Sequence, residues 1–271
     1  MNGQRDIRLL LADVDGTLVT RDKVLTEATK AAAAELHDAG LALAITSGRP
    51  PRGMIMLIEP LNLQGAIAGF NGGVFVNPDL SVIESHMIDL AAAKRTLELM
   101  LDHRLDAWIY TADDWFIRDK NAPHVARETS TVKFDAKVVA SFTDEHLAQA
   151  VKIVGVSDDL DLVADCEKAA QRILGKTASA ARSQSYYLDV THPKGTVVTT
   201  LSKFFDIRPD QIATIGDMPN DVFMFRKSGF SIAMGNSSNE VKAQASAVTD
   251  SNENEGFAKA VRKFVLRSAT S

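Results

Sequence analysis

At both ends of the chain, short apolar runs alternate with amphipathic stretches. Residues 7–12 read as a strand, residues 27–39 place their apolar positions at helical spacing, and residues 41–45 and 66–68 follow as further strands. Runs that are apolar at nearly every position, not at every second one, mark strands buried on both faces, and so a parallel sheet covered by crossover helices. The rhythm returns near the other end: a strand at 212–215, a helix at 221–227, a strand at 230–233 and a closing amphipathic helix from Gly256 to about Arg267. The two ends therefore predict one doubly wound α/β core with a parallel, Rossmann-like sheet.

Between them the pattern changes. Residues 89–104 are helical in spacing, 107–111 and 115–118 form a hairpin turning at Asp113-Asp114, and strands are predicted at 151–156 and 186–190. Helices are predicted near 144–150 and 158–174, which completes an α+β signature unlike the flanks. Both tryptophans and all three tyrosines fall in this region. The chain is therefore divided into a discontinuous core, residues 1–84 and 189–271, and an inserted domain, residues 85–188.

Composition narrows the function classes. A chain of 271 residues with 45% hydrophobic and 24% charged positions has enough apolar side chains for a substantial core, which excludes a disordered protein. The net charge of -5 and the lack of a sustained Lys/Arg run argue against a nucleic-acid partner. The single cysteine, Cys166, forms no intrachain disulfide, and its neighbours Asp165 and Glu167 would raise a thiol's pKa, so it reads as helix packing. No apolar run approaches membrane-spanning length, and the opening residues do not form a signal peptide, so a cytoplasmic setting with no membrane partner is expected.

The sharpest local signal is Asp13-Val14-Asp15-Gly16-Thr17, directly after an apolar strand. It sits where ligands bind in open α/β sheets, beyond a strand's carboxyl end. A calcium loop does not fit, because an EF-hand needs glycine at its sixth position and glutamate at its twelfth, and this glycine is fourth. A second strand ends in Thr46-Ser47-Gly48-Arg49-Pro50, which a plain helix cap would also resemble. Lys194 opens a third segment, His192-Pro193-Lys194-Gly195-Thr196, and a fourth strand runs into Gly216-Asp217-Met218-Pro219-Asn220-Asp221. Acids and an asparagine past a strand end suit a hard cation, since Mg²⁺ prefers oxygen ligands. No G-x-S-x-G elbow or Walker loop occurs, and the histidines show no metal-ligand spacing.

In this order, the four segments resemble the signature motifs of the haloacid dehalogenase superfamily of phosphotransferases, and Phe70-Asn71-Gly72-Gly73 resembles the loop before the cap in its Cof-type branch. The stretch between Asp15 and Ser47 holds only one helix and one strand, whereas that between Ser47 and Lys194 takes up more than half the chain, so the insertion resembles a type IIB cap. The resemblance implies a Mg²⁺-dependent phosphatase acting on small phosphate monoesters of the sugar or polyol class. In that reading Asp13 is the nucleophile and Asp15 the general acid and base. Ser47, with Thr46 as the alternative hydroxyl, Gly48, Lys194 and Asn220 bind the phosphoryl group. Asp13, the Asp15 backbone carbonyl, Asp217 and Asp221 hold the metal, with Asp221 left open between direct and indirect contact. The partner would be a small phosphorylated metabolite. A phosphomannomutase-like phosphotransferase and a non-catalytic phosphate- or Mg²⁺-binding regulator are the alternatives. Trp108, Tyr110, Trp115, Arg118 and Tyr187 are candidates for contacting the leaving group or for packing, and the sequence does not choose among them.

Overall fold

The computed structural model describes residues 6–193 and 196–266. Its strands run β1 (Leu9–Asp13), β2 (Ala42–Thr46), β3 (Ile67–Gly69), β4 (Val74–Val76), β5 (Val82–Ser85), β6 (Asp106–Tyr110), β7 (Trp115–Ile117) and β8 (Lys137–Val138). They continue through β9 (Lys152–Val156), β10 (Ser179–Gln184), β11 (Tyr187–Thr191), β12 (Ile212–Gly216), β13 (Phe230–Ala233) and β14 (Ala247–Val248).

A large sheet has the order β14-β13-β12-β1-β2-β3-β4-β5, with the first six strands of that order parallel and β4 and β5 added as an antiparallel edge. Residues Leu9 to Ala12 are all 0% exposed, as continuous apolar runs demand when helices cover both faces. The helix Glu27–Asp38 supplies one such cover. Thr26 caps it by accepting from the Thr29 backbone N–H, and Thr29, Ala32, Ala33 and Leu36 turn inward. Winding proceeds from β1 to β2 and β3 on one side, and from β12 to β13 and β14 on the other. The switch between the two directions falls between β1 and β12, the place where open α/β sheets bind ligands.

A second, smaller sheet has the order β10-β11-β9-β6-β7-β8 and is antiparallel except for the β7/β8 pair. Side chains alternate along its strands. Ala107, Ile109, Ile153, Leu188 and Val190 pack under the helices Leu90–Asp102 and Leu160–Leu174, while Trp108, Tyr110, Val154, Val156 and Tyr187 join the cluster shared with the large sheet. The architecture is α/β with an α+β insertion, as the hydrophobic pattern requires. Strand β11 pairs with β9 as far as Thr191, so the small sheet extends past residue 188, where the sequence had placed its end.

Candidate active site

Parallel strands bring their carboxyl ends to one edge, and this alone gathers the motifs. Asp13, the last residue of β1, is in register with Thr46 of β2, and on the other side Ala12 is in register with Ile215 of β12. Carboxylate oxygens of Asp13, Asp217 and Asp221 lie within 4.8 Å of one another, and all three residues are buried. Two glycines allow this. Gly16 has φ +84°, and a Cβ there would stand 2.3 Å from Asp217 Oδ2, while a Cβ at Gly216 would stand 2.4 Å from the Asp221 carboxyl carbon.

Burial pushes the Asp13 carboxyl well above the usual range, and Asp221, Asp217 and Asp15 add to the shift. Burial likewise pushes Asp217 up to about 7, with Asp221 and Asp15 contributing repulsion. Asp217 Oδ1 has no hydrogen-bond partner among the described residues, whereas Oδ2 accepts from Asn236 at 3.1 Å. A cluster of buried acids with an orphaned oxygen fits a hard cation, which would supply the missing positive charge. Asp221 Oδ2 accepts from the backbone N–H groups of Asp217 and Met218, each at 2.9 Å, and so shapes the loop that carries Asp217.

Asp15 points elsewhere. Arg49 grips its carboxylate with two bonds, Nε to Oδ2 at 2.7 Å and Nη2 to Oδ1 at 2.6 Å, and Lys23 donates to Oδ1 at 2.5 Å. Burial alone would raise Asp15, but the Arg49 and Lys23 bonds and charges outweigh it and hold the carboxyl below its ordinary value. Sequence reasoning assigned no role to either cation. Arg49 is nearly buried, and its place in the Ser-Gly-Arg segment was the signal available.

Ser47 and Gly48 line the same cavity as Asp13 and Asp15, with a volume of about 560 Å³, whereas Thr46 lines a separate small pocket with Asn220 and Asp221. That geometry favours Ser47 as the cavity hydroxyl. The loop is fixed from behind, since Asn71 N–H donates to Ser47 O at 2.7 Å and Phe70 N–H to Arg49 O at 2.9 Å. Phe70 and Asn71 take left-handed backbone angles to do this. Asn220 borders both spaces. Lys194 lies outside the described residues.

The small sheet roofs the cavity with Lys152, Asp189 and Tyr187, and the helix Val125–Val132 adds Glu128; of these only Tyr187 was singled out in the sequence. Trp108 and Trp115 are 0% exposed and pack edge to face at 5.3 Å, and Tyr110 stacks on Trp115 at 5.6 Å, so these three are packing residues. Arg118 pairs with Asp106 at 3.5 Å and does not line the cavity. Cys166 is buried, and it is burial that pushes its thiol up to about 11, not the neighbouring acids. Among the described residues no helix is long and apolar enough to cross a membrane.

A doubly wound sheet whose central strand ends in an aspartate, backed by further acids and roofed by a second sheet, defines a Rossmann-like α/β protein with a covered acidic site. The chain belongs to the haloacid dehalogenase-like hydrolases, whose family profile matches residues 10–261, and it is an enzyme of the phosphatase type found in that family. It is similar to the 5-amino-6-(5-phospho-D-ribitylamino)uracil phosphatase YcsE of Bacillus subtilis, 23% identical over 261 residues that cover 96% of this chain and 97% of that protein. Among solved structures, the superfamily phosphatase BT1666 of Bacteroides thetaiotaomicron superposes with a TM-score of 0.79 at 24% identity, covering 98% of each chain. The subclass IIB sugar phosphatase BT4131 superposes with a TM-score of 0.82 at 20% identity, covering 96% of this chain and 99% of its own.

Proposed function

We propose that the protein is a Mg²⁺-dependent phosphatase of small phosphate monoesters of the sugar or polyol class. The observation that carries this reading is the buried Asp13, Asp217 and Asp221 cluster, of which Asp13 and Asp217 line one cavity with Ser47. Asp13, Asp217 and Asp221, with the Asp15 backbone carbonyl, would hold the cation, and the cation would neutralise phosphoryl oxygens that otherwise repel a carboxylate nucleophile. Ser47 and Lys194 hold the phosphoryl group, with Asn220 beside them.

Asp13 attacks phosphorus and the bond to the leaving oxygen breaks, giving an aspartyl-phosphate. Asp15 supplies the proton that the leaving oxygen takes up, then accepts one from the water that hydrolyses the intermediate. An Asp15 carboxylate held by Arg49 and Lys23 is ionised, so it must be loosened from these partners to carry a proton. The small sheet, with the chain around it from 85 to 188, acts as the cap that selects the leaving group. The relatives named as phosphatases support this class, and the sugar phosphatase BT4131 supports the substrate type.

Phosphate release from p-nitrophenyl phosphate and a panel of sugar phosphates, with Mg²⁺ and with chelator, tests the reading. Activity should require the metal and fall by about a thousandfold or more in Asp13→Asn, because the nucleophile itself is lost. An inactive wild type, or an Asp13→Asn protein with full activity, would overturn it.

A further inference from the structure

The face of the small sheet that looks toward the large one is apolar and aromatic except at a few positions. Lys152 opens β9 opposite Tyr110 of β6 and Thr191 of β11, and Asp189 sits two pairs further along, opposite Val154 and so on the same face. Lys152 and Asp189 form an ion pair at 2.7 Å with side chains only 8% and 2% exposed. Burying such a pair costs heavily in desolvation, and hydrophobic residues of similar volume would serve packing as well. The Lys152 ammonium also crosses between the two sheets and donates to Gly48 O at 3.2 Å, beside Ser47.

A second anchored charge stands nearby. Glu128, from the helix Val125–Val132, accepts from the buried Tyr110 hydroxyl at 2.6 Å, and its other oxygen makes no hydrogen bond among the described residues. Burial pushes the Glu128 carboxyl up, while the Lys152 charge and the Tyr110 hydroxyl pull it back, so the two charges feel each other. Lys152 nevertheless pairs with Asp189 and not with Glu128. The result is an ammonium and a carboxylate, both bordering the cavity, each held from behind by a different partner.

We propose that Glu128 and Lys152 read hydroxyl groups on the leaving alcohol, selecting phosphate esters of polyhydroxylated alcohols; this rests on the phosphatase reading above. An ammonium only donates and a carboxylate only accepts, whereas an alcohol does both. Two adjacent hydroxyls therefore satisfy the pair together, and an aryl leaving group satisfies neither. Asp189 and Tyr110 are positioning residues that fix Lys152 and Glu128.

The test compares kcat/KM, with Mg²⁺, on sorbitol 6-phosphate and p-nitrophenyl phosphate. Wild type should favour sorbitol 6-phosphate. In Glu128→Gln and Lys152→Met the ratio of sorbitol 6-phosphate to p-nitrophenyl phosphate should fall by about tenfold or more, chiefly through KM, as expected for loss of a hydrogen bond to a charged group. Tyr110→Phe should lower the ratio less, and should add nothing when combined with Glu128→Gln. If Lys152→Met does not fold because Asp189 is left unpaired, Glu128→Gln carries the test. A ratio that moves less than threefold in the folded variants overturns this inference alone. A wild type inert on both esters overturns the phosphatase reading with it.

Discussion

Asp15 shows how a residue's role is set by neighbours the sequence does not reveal. Its carboxylate is bonded by Arg49 and Lys23, which stabilise the charged form. Lys23 is the more exposed of the two, with 52% of its side chain accessible, so it can be removed with little effect on packing. Lys23→Ala should raise the Asp15 pKa and shift the pH profile of kcat/KM toward higher pH. An unmoved profile would mean that Asp15 does not govern either limb. The aspartates themselves were legible because the D-x-D-G-T and G-D-x-x-N-D spacings are dense and local. Arg49, Lys152 and Glu128 were not, because an isolated charge in sequence looks like a solvated one. Their partners are contributed by distant strands and loops, and in the case of Lys152 by β11 and by the loop after β2.

Among the elements, the strands carrying the motifs were the easiest to read, since β1, β2 and β12 are apolar along nearly their whole length. Two of those missed lack that pattern. Strand β10, Ser-Ala-Ala-Arg-Ser-Gln, is a partly exposed edge, and the helix bearing Glu128 begins after a left-handed His124 with no side-chain cap. The loop behind Ser47 is a third case, because its function depends on backbone shape. Asn71 has φ +56° there, a region asparagine and glycine tolerate better than alanine. Asn71→Ala should therefore cost about 1 kcal/mol of stability and raise KM for phosphate esters, while Asn71→Gly should keep the stability. Chemical denaturation of both variants, with Michaelis kinetics alongside, checks this. Equal losses in the two would assign the effect to the amide side chain and not to the backbone.

For the molecule as a whole, the acidic cluster couples folding to pH and to metal. Asp217 is pushed up from its ordinary 3.8 to about 7 by burial and by its acidic neighbours. A carboxyl with a raised folded pKa favours the fold at low pH, and that contribution is lost as pH rises from about 4 through about 7. Without metal, the melting temperature of Asp217→Asn should therefore climb relative to wild type across this window. With Mg²⁺, wild type should recover relative to the variant, because the cation binds the folded state only. A difference between the two proteins that stays flat with pH, with and without Mg²⁺, would count against the cluster as a cation site.

The close packing of Gly16 against Asp217, and of Gly216 against Asp221, bears on how freely such a site could be moved. In both places a carboxyl group fills the volume that a methyl would claim on the glycine. For Gly16 that glycine belongs to a segment some two hundred residues away in the chain. The first and fourth motifs thus behave as one part cut in two. Transplanting the D-x-D-G-T segment into another parallel sheet would deliver a nucleophile beside an unfilled hollow, and only a graft carrying both strand ends in register would bring the site across.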